Sequence, residues 1–218
     1  MSIDTSSESI ASIRPDLPGD VAVLAPTALE YWATRLILPH KPVRKAGIGL
    51  SHWDPVNSEA VVVCGLAGSL IRGLEPGTVL IPDLVRTPDG SIVRCDTRIR
   101  QSLIRGARVL GFNPEGGPLL TASSMVMGSE RARWAARGFV AADMETGLLS
   151  RRVSRFATVR VILDSPARSI SGDWLSPDRA LMRPTLWPEL LWMMGAAPLF
   201  SLRAARVLKA GLECLQDL

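Results

Sequence analysis

Val61-Val62-Val63-Cys64, running directly into Gly65-Leu66-Ala67-Gly68-Ser69-Leu70, is a short apolar run closed by glycines. A run this short and this uniformly apolar reads as a strand buried on both faces, as strands of parallel sheets are. The same signature recurs on either side of it, at Val21 to Ala25, Lys45 to Leu50, Thr78 to Ile81 and Thr158 to Leu163. Between these runs, Ala28 to Leu38, Thr97 to Val109, Glu130 to Arg137 and Glu145 to Ser154 place apolar residues mainly three and four apart, the spacing of amphipathic helices. Strands alternating with helices imply a three-layer α/β/α fold with a mostly parallel sheet covered on both faces. Asp89-Gly90, between Val85 and Ile92, is a hairpin-turn signal, so the sheet is expected to be mixed.

With 218 residues and 47% hydrophobic content the chain can bury a full core, and its length suits one domain. Residues 1–18, rich in Ser, Asp and Pro, read as a loose arm with no apolar segment of a secretory signal, leaving residues 19–218 as the domain. The net charge of +4 comes from arginines scattered along the chain without a block of like charge, which gives no footprint for nucleic acid. Cys64, Cys95 and Cys214 are far apart and lack CxxC spacing, so neither a disulfide framework nor a zinc site is expected and a reducing cytoplasm fits. The segment of about 184–216 is apolar and helical in pattern. Between Leu186 and Leu202 it carries Trp187, Trp192, Met193, Met194 and Phe200, but Pro188 and Pro198 interrupt it, and it is too broken to span a bilayer.

Ligands of open α/β sheets sit beyond the carboxyl ends of the strands. Three acidic residues fall near such ends: Glu30 shortly after the first run, Glu145 opening a helix, and Asp164 directly after Val159 to Leu163. Each has an ordinary alternative. Asp164 suits a helix cap, Glu145 a first-turn acid favoured by the helix dipole, and Glu30 the solvent face of an amphipathic helix. His40 and His52 have no evident nucleophile or metal partner, and Cys64 reads as a small core residue.

The ordered set of motifs resembles the purine nucleoside phosphorylase and nucleosidase superfamily. It comprises Gly47-Ile48-Gly49, then Gly65-Leu66-Ala67-Gly68-Ser69-Leu70 with Gly77-Thr78-Val79-Leu80-Ile81-Pro82-Asp83, then Ala142-Asp143-Met144-Glu145-Thr146, and finally Arg160-Val161-Ile162-Leu163-Asp164. The resemblance covers Val21 to Ser169 and implies a fold of the nucleoside phosphorylase type. It assigns Asp164 as the general acid at purine N7, Glu145 as acceptor of ribose hydroxyls, Met144 as the floor under the sugar, and Glu30 as the carboxylate that activates water. Met125 and Val126 fall where the family lines the base pocket, together with Leu66 and Ala67. The chemistry requires no metal or organic cofactor; phosphate would be the co-substrate of a phosphorylase. The resemblance also implies a homodimer.

Departures from the family pattern carry information. Where bacterial purine phosphorylases hold phosphate with arginine and serine, this chain has Val63 and Leu66, and Glu30 stands where another arginine would be. A phosphate dianion needs such donors, so hydrolysis is favoured over phosphorolysis. Leu163 replaces the serine that commonly precedes the acid. Beyond Asp164, the run Asp173-Trp174-Leu175-Ser176-Pro177-Asp178, then Pro184, Trp187-Pro188-Glu189 and the apolar helix to Leu215, resembles the hopanoid-associated members of the superfamily. That likeness implies adenosylhopane as substrate, an adenosine head on a triterpenoid, and release of adenine. Three alternatives stand beside it: a phosphorylase holding phosphate through Arg44 or Arg35, a catalytically silent nucleoside- or lipid-binding module, and a protein whose C-terminal aromatics and arginines contact the inner membrane surface.

Overall fold

The computed structural model describes residues 21–52, 58, 60–175 and 182–216. The expected N-terminal arm and the Ser176-Pro177-Asp178 part of the hopanoid-like run lie outside them.

The apolar run at Val61 does form the central strand, and it is longer than its apolar core. β3 spans Ala60–Ser69 and is buried along nearly its whole length. Over residues 60–68 it pairs in parallel with β9, Arg155–Asp164, the other ten-residue strand, with a register irregularity between Ala67 and Gly68. On its other edge it first meets β1, Val21–Ala25, in parallel. Farther along, Gly68 and Ser69 pair antiparallel with β8, Ala141–Asp143. The neighbour on this edge thus changes from β1 to β8 as β3 leaves the core, and the chain opens a crevice at that point.

The rest of the nine-stranded sheet builds on this frame. β2, Val43–Lys45, extends it beyond β1; β7, Leu119–Thr121, and β5, Leu84–Arg86, extend it beyond β8, all in parallel. β4, Val79–Leu80, runs antiparallel to β9. β6, Ile92–Arg94, closes the hairpin with β5 that Asp89-Gly90 signals. The sheet is therefore mixed and mostly parallel, flanked by helices in three layers.

The helices begin where their caps require. In α1, Ala28–Ile37, Thr27 accepts a hydrogen bond from the Glu30 amide while Glu30 accepts one from the Thr27 amide, a reciprocal capping box. In α2, Thr97–Val109, Asp96 accepts from Ile99 N at 2.9 Å, and the buried face runs Ile99, Ser102, Leu103, Gly106 and Ala107. α3 is Gly128–Ala135, and α4 is Trp187–Gln216. The carboxyl half of α4 is buried against α1, α2 and β9. Its amino half carries exposed Trp187, Leu191 and Met194. No helix among the described residues is long and apolar enough to cross a membrane.

Three expectations are corrected. The run Lys45 to Leu50 is not a strand: β2 ends at Lys45, and Gly47, Gly49 and Leu50 adopt positive φ in a tight turn. The segment from Glu145 to Ser154 is not an α-helix but a 3-10 turn over Thr146–Arg151, pinned by hydrogen bonds from Thr146 N to Asp143 (3.2 Å) and from Gly147 N to Thr121 Oγ1 (2.7 Å). Pro198 does not break the C-terminal helix, which continues through it. Its missing N–H removes the helical donor to the carbonyl of Met194 one turn earlier, on the exposed part of the helix.

Candidate active site

At the crevice where β3 exchanges β1 for β8 there is a cleft of about 320 Å³. The strand-end acids Glu30, Glu145 and Asp164 all line it. So do Met144 beside Glu145, Leu66 and Ala67 on β3, and Met125 and Val126 on the loop before α3. The structure thus brings together every residue that the sequence singles out for the site. Arg35 donates to backbone carbonyls of Pro39 and Lys41, and Arg44 lies on the separate surface with Lys45 and His52, so neither is in this cleft.

Glu30 is buried by its own cap. Oε2 accepts from Thr27 N at 2.8 Å and Oε1 from Leu66 N at 2.7 Å, which ties α1 to the middle of β3. Each oxygen keeps a lone pair directed elsewhere, so a water in the cleft can still donate to it. The expected solvent-facing alternative for Glu30 does not hold: its residue exposure is 4%.

Glu145 and Asp143 share one cation. Arg160 is fully buried on β9 and donates to Asp143 Oδ2 at 2.6 Å, to Thr146 Oγ1 at 3.0 Å, to Leu66 O at 3.2 Å and to Glu145 Oε2 at 3.4 Å. Asp143 is further satisfied by the Thr121 hydroxyl at 2.6 Å and by Thr146. The Arg160-x-x-x-Asp164 spacing therefore serves two different partners: the arginine organises the Asp143–Thr146 loop and makes no pair with Asp164. Burial works against the Arg160 charge, but Asp143, Glu145 and Glu30 outweigh it and hold the guanidinium above its ordinary value. Burial pushes the Glu145 carboxyl up to about 7; Arg160 opposes this, Asp143 and Glu30 add to it, and the Gly49 amide opposes it. The rise survives because Arg160 is closer to Asp143 than to Glu145. Gly49 N, aimed by the positive φ of its turn, donates to Glu145 Oε1 at 3.2 Å.

Asp164 ends β9 on the other side of the cleft. Its Oδ2 accepts from Arg131 and from Ile170 N at 3.2 Å. Arg131, on α3, is held in turn by Val126 O at 3.0 Å and Ser69 O at 3.1 Å. The two side chains of this ion pair are 6% and 7% exposed. Asp164 is thus a paired acceptor in this structure and caps no helix. Arg131 is not marked by the sequence, being a charged residue in a segment that reads as an ordinary helix, and Asp143 stands in the Ala142–Thr146 motif without a role of its own; only the tertiary pairing shows the place of each.

The loop after Asp164 reaches α4. Ser171 N donates to Glu189 at 2.6 Å, and Arg168 stacks on Trp192 with its guanidinium carbon 4.5 Å from the ring centroid. This seats Met193 and Ile170 on the cleft wall. Cys64 stays a core residue, its thiol pushed up to about 12, chiefly by burial.

No family model matches the sequence, and no curated protein is detectably similar to it. Solved structures are similar over most of the chain. A 5′-methylthioadenosine/S-adenosylhomocysteine nucleosidase of Helicobacter pylori superimposes with a TM-score of 0.68 at 13% identity, covering 88% of this chain and 97% of its own. A futalosine hydrolase mutant of Helicobacter pylori gives 0.66 at 12%, covering 88% and 98%. The Neisseria meningitidis 5′-methylthioadenosine/S-adenosylhomocysteine nucleosidase, in complex with methylthio-immucillin-A, gives 0.66 at 15%, covering 91% and 99%. At these identities the likeness is one of fold, and the fold of this chain is that of the nucleosidases.

Proposed function

We propose that the chain hydrolyses the N-glycosidic bond of a purine nucleoside, an adenosine with an apolar 5′ substituent. The observation that carries this reading is the placement of three carboxylates, Glu30, Glu145 and Asp164, around one apolar-walled cleft at the switch between β1 and β8. Breaking C1′–N9 leaves positive charge on the sugar ring and negative charge on the base, so the protein must answer opposite charges a few ångströms apart. Glu145 takes the ribose hydroxyls, and its carboxylate offsets the developing oxocarbenium charge. Met144 packs under the sugar. Glu30, held by two backbone amides, orients a water toward C1′ and takes its proton. Asp164 meets the base edge, with Leu66, Ala67, Met125 and Val126 around the ring. Overall one water is added, its oxygen to C1′ and one hydrogen to the purine.

Hydrolysis rather than phosphorolysis is supported by the lining. Val63 is buried in β3, Leu66 lines the cleft with an apolar side chain, and Glu30 would repel an incoming dianion. For the 5′ substituent, Met193 and Ile48 wall the cleft, and α4 also carries Trp187, Leu191 and Met194 as exposed apolar residues outside the cleft lining. Such a surface suits a large hydrocarbon, of which adenosylhopane is the example that the sequence resemblance names. The same surface would also serve peripheral contact with a membrane, or the homodimer interface that the resemblance implies.

The test is product analysis with adenosine, 5′-alkylthioadenosines and adenosylhopane, each with and without phosphate. Free base and free sugar in both conditions support the reading. Sugar 1-phosphate formed only with phosphate would make the protein a phosphorylase, and binding without turnover would make it a silent module.

A further inference from the structure

The Arg131–Asp164 pair leaves a donor and an acceptor bordering the same space. Three of the five Arg131 N–H groups are engaged, with Val126 O, Ser69 O and Asp164 Oδ2. Asp164 Oδ2 accepts from both Arg131 and Ile170 N, and Oδ1 has no hydrogen bond among the described residues. Gly68 opens the space between them: a Cβ built on it would stand 2.7 Å from Asp164 Oδ1 and 3.7 Å from Arg131 Nη2. The cleft therefore shows a carboxylate oxygen that can only accept next to a guanidinium that can only donate, both anchored in buried positions.

We infer that Arg131, rather than a proton on Asp164, is the group that meets purine N7, while Asp164 Oδ1 accepts from the exocyclic amine. Arg131 then acts in catalysis and selects a 6-aminopurine. The inference rests on the reading of the cleft as a nucleoside site. An adenine edge offers N7 as acceptor and the 6-amino group as donor, the complement of the pair. A 6-oxopurine offers two acceptors on that edge and would set O6 against the Asp164 carboxylate. As C1′–N9 breaks, the bond's electron pair passes to the purine and raises the charge at N7. A fixed guanidinium stabilises that charge without reorganisation. The base then takes its proton from solvent.

The test measures equilibrium binding of adenine, 7-deazaadenine and hypoxanthine to the wild-type chain and to Arg131→Gln. Charge-assisted hydrogen bonds set the expected scale. Wild type is expected to bind adenine about tenfold or more tightly than either 7-deazaadenine or hypoxanthine. In Arg131→Gln the preference over 7-deazaadenine should fall to within about twofold, because the shorter, uncharged side chain no longer brings a charged donor to N7. An undiminished preference in the variant, or equal wild-type affinity for adenine and hypoxanthine, would overturn the inference. The hypoxanthine comparison needs only wild type, so it decides even if the variant does not fold. Base release from a nucleoside alongside either contrary result would leave the hydrolase reading standing and remove only the role of Arg131. Absence of any purine binding would overturn both.

Discussion

Arg160 Nη2 lies 2.6 Å from Asp143 Oδ2 and 3.4 Å from Glu145 Oε2, so the cation these two buried carboxylates share is closer to Asp143 than to Glu145. Asp143 is fixed from four directions, and Glu145 is left with weaker compensation and a raised proton affinity. The pair of distances links the sequence motif to chemistry: one arginine builds the loop and leaves the working carboxylate responsive to pH.

Glu145 should give the reaction an acid limb. With its carboxyl raised to about 7 in the free protein, chiefly by burial, it is protonated below that pH and loses its acceptor role toward ribose hydroxyls. The profile of kcat/KM is expected to fall as pH drops through about 7, and Glu145→Gln should lower kcat/KM and flatten that limb. The stability consequence has the opposite sense. Because the folded-state value exceeds the unfolded one, this group's contribution is fully present below about 4.5 and is lost as pH rises through about 7. An acid limb that persists in Glu145→Gln belongs to another group.

Arg160→Met should destabilise the fold severely. It strips the cation from Asp143 and Glu145 in a site with no solvent access to Arg160, a change that costs about 3–5 kcal/mol. For a chain of this size that corresponds to a drop of roughly 6–20 °C in Tm. Thermal unfolding checks it; a change under about 2 °C would mean that water or relaxation replaces the ion pair.

Gly68→Ala should damage the site more than the fold. Its Cβ would stand 2.7 Å from Asp164 Oδ1, so the carboxylate must move away from the base position. Misplacement on this scale lowers rate by roughly tenfold to a hundredfold. Steady-state kinetics on the variant checks this, with unchanged kcat/KM as the contrary result.

The exposed face of α4 tests the substrate's tail. Replacing Leu191 and Met194 together by serine removes apolar surface beyond the cleft without touching the acids. The double variant is expected to lose about tenfold or more in kcat/KM for an adenosine bearing a long hydrocarbon, at about 0.8 kcal/mol per buried methylene, and to keep its rate on a short 5′-alkylthioadenosine. Equal losses on both substrates would place these residues in the structure rather than on the tail.

Much of this frame is legible in the sequence. The runs at Val21, Val61 and Thr158 become β1, β3 and β9 because strands covered on both faces must be apolar throughout. β7 and β8 are three residues each, too short to show a period against their surroundings. The helical spacing of Leu148, Leu149 and Val153 misleads because side-chain bonds from Asp143 and Thr121 capture the start of that segment and leave only a 3-10 turn. Glu30, Glu145 and Asp164 could be marked because each follows a readable strand or motif. Arg131 could not: a charged residue in a short helix ordinarily faces water, and its burial is decided by Val126 close by in sequence together with Ser69 far before it and Asp164 far after it.

The most direct measurement is release of free purine from adenosine and from adenosines with apolar 5′ groups, by wild type and by Asp164→Asn, without phosphate. Wild type is expected to release base, and Asp164→Asn, which takes the charge from the carboxylate that holds Arg131 at the cleft, to lose about a hundredfold of that rate when assayed well below its lowered Tm. No release by the wild-type chain from any purine nucleoside, or equal release by the variant, would contradict the assignment of this cleft as the site of N-glycosidic cleavage.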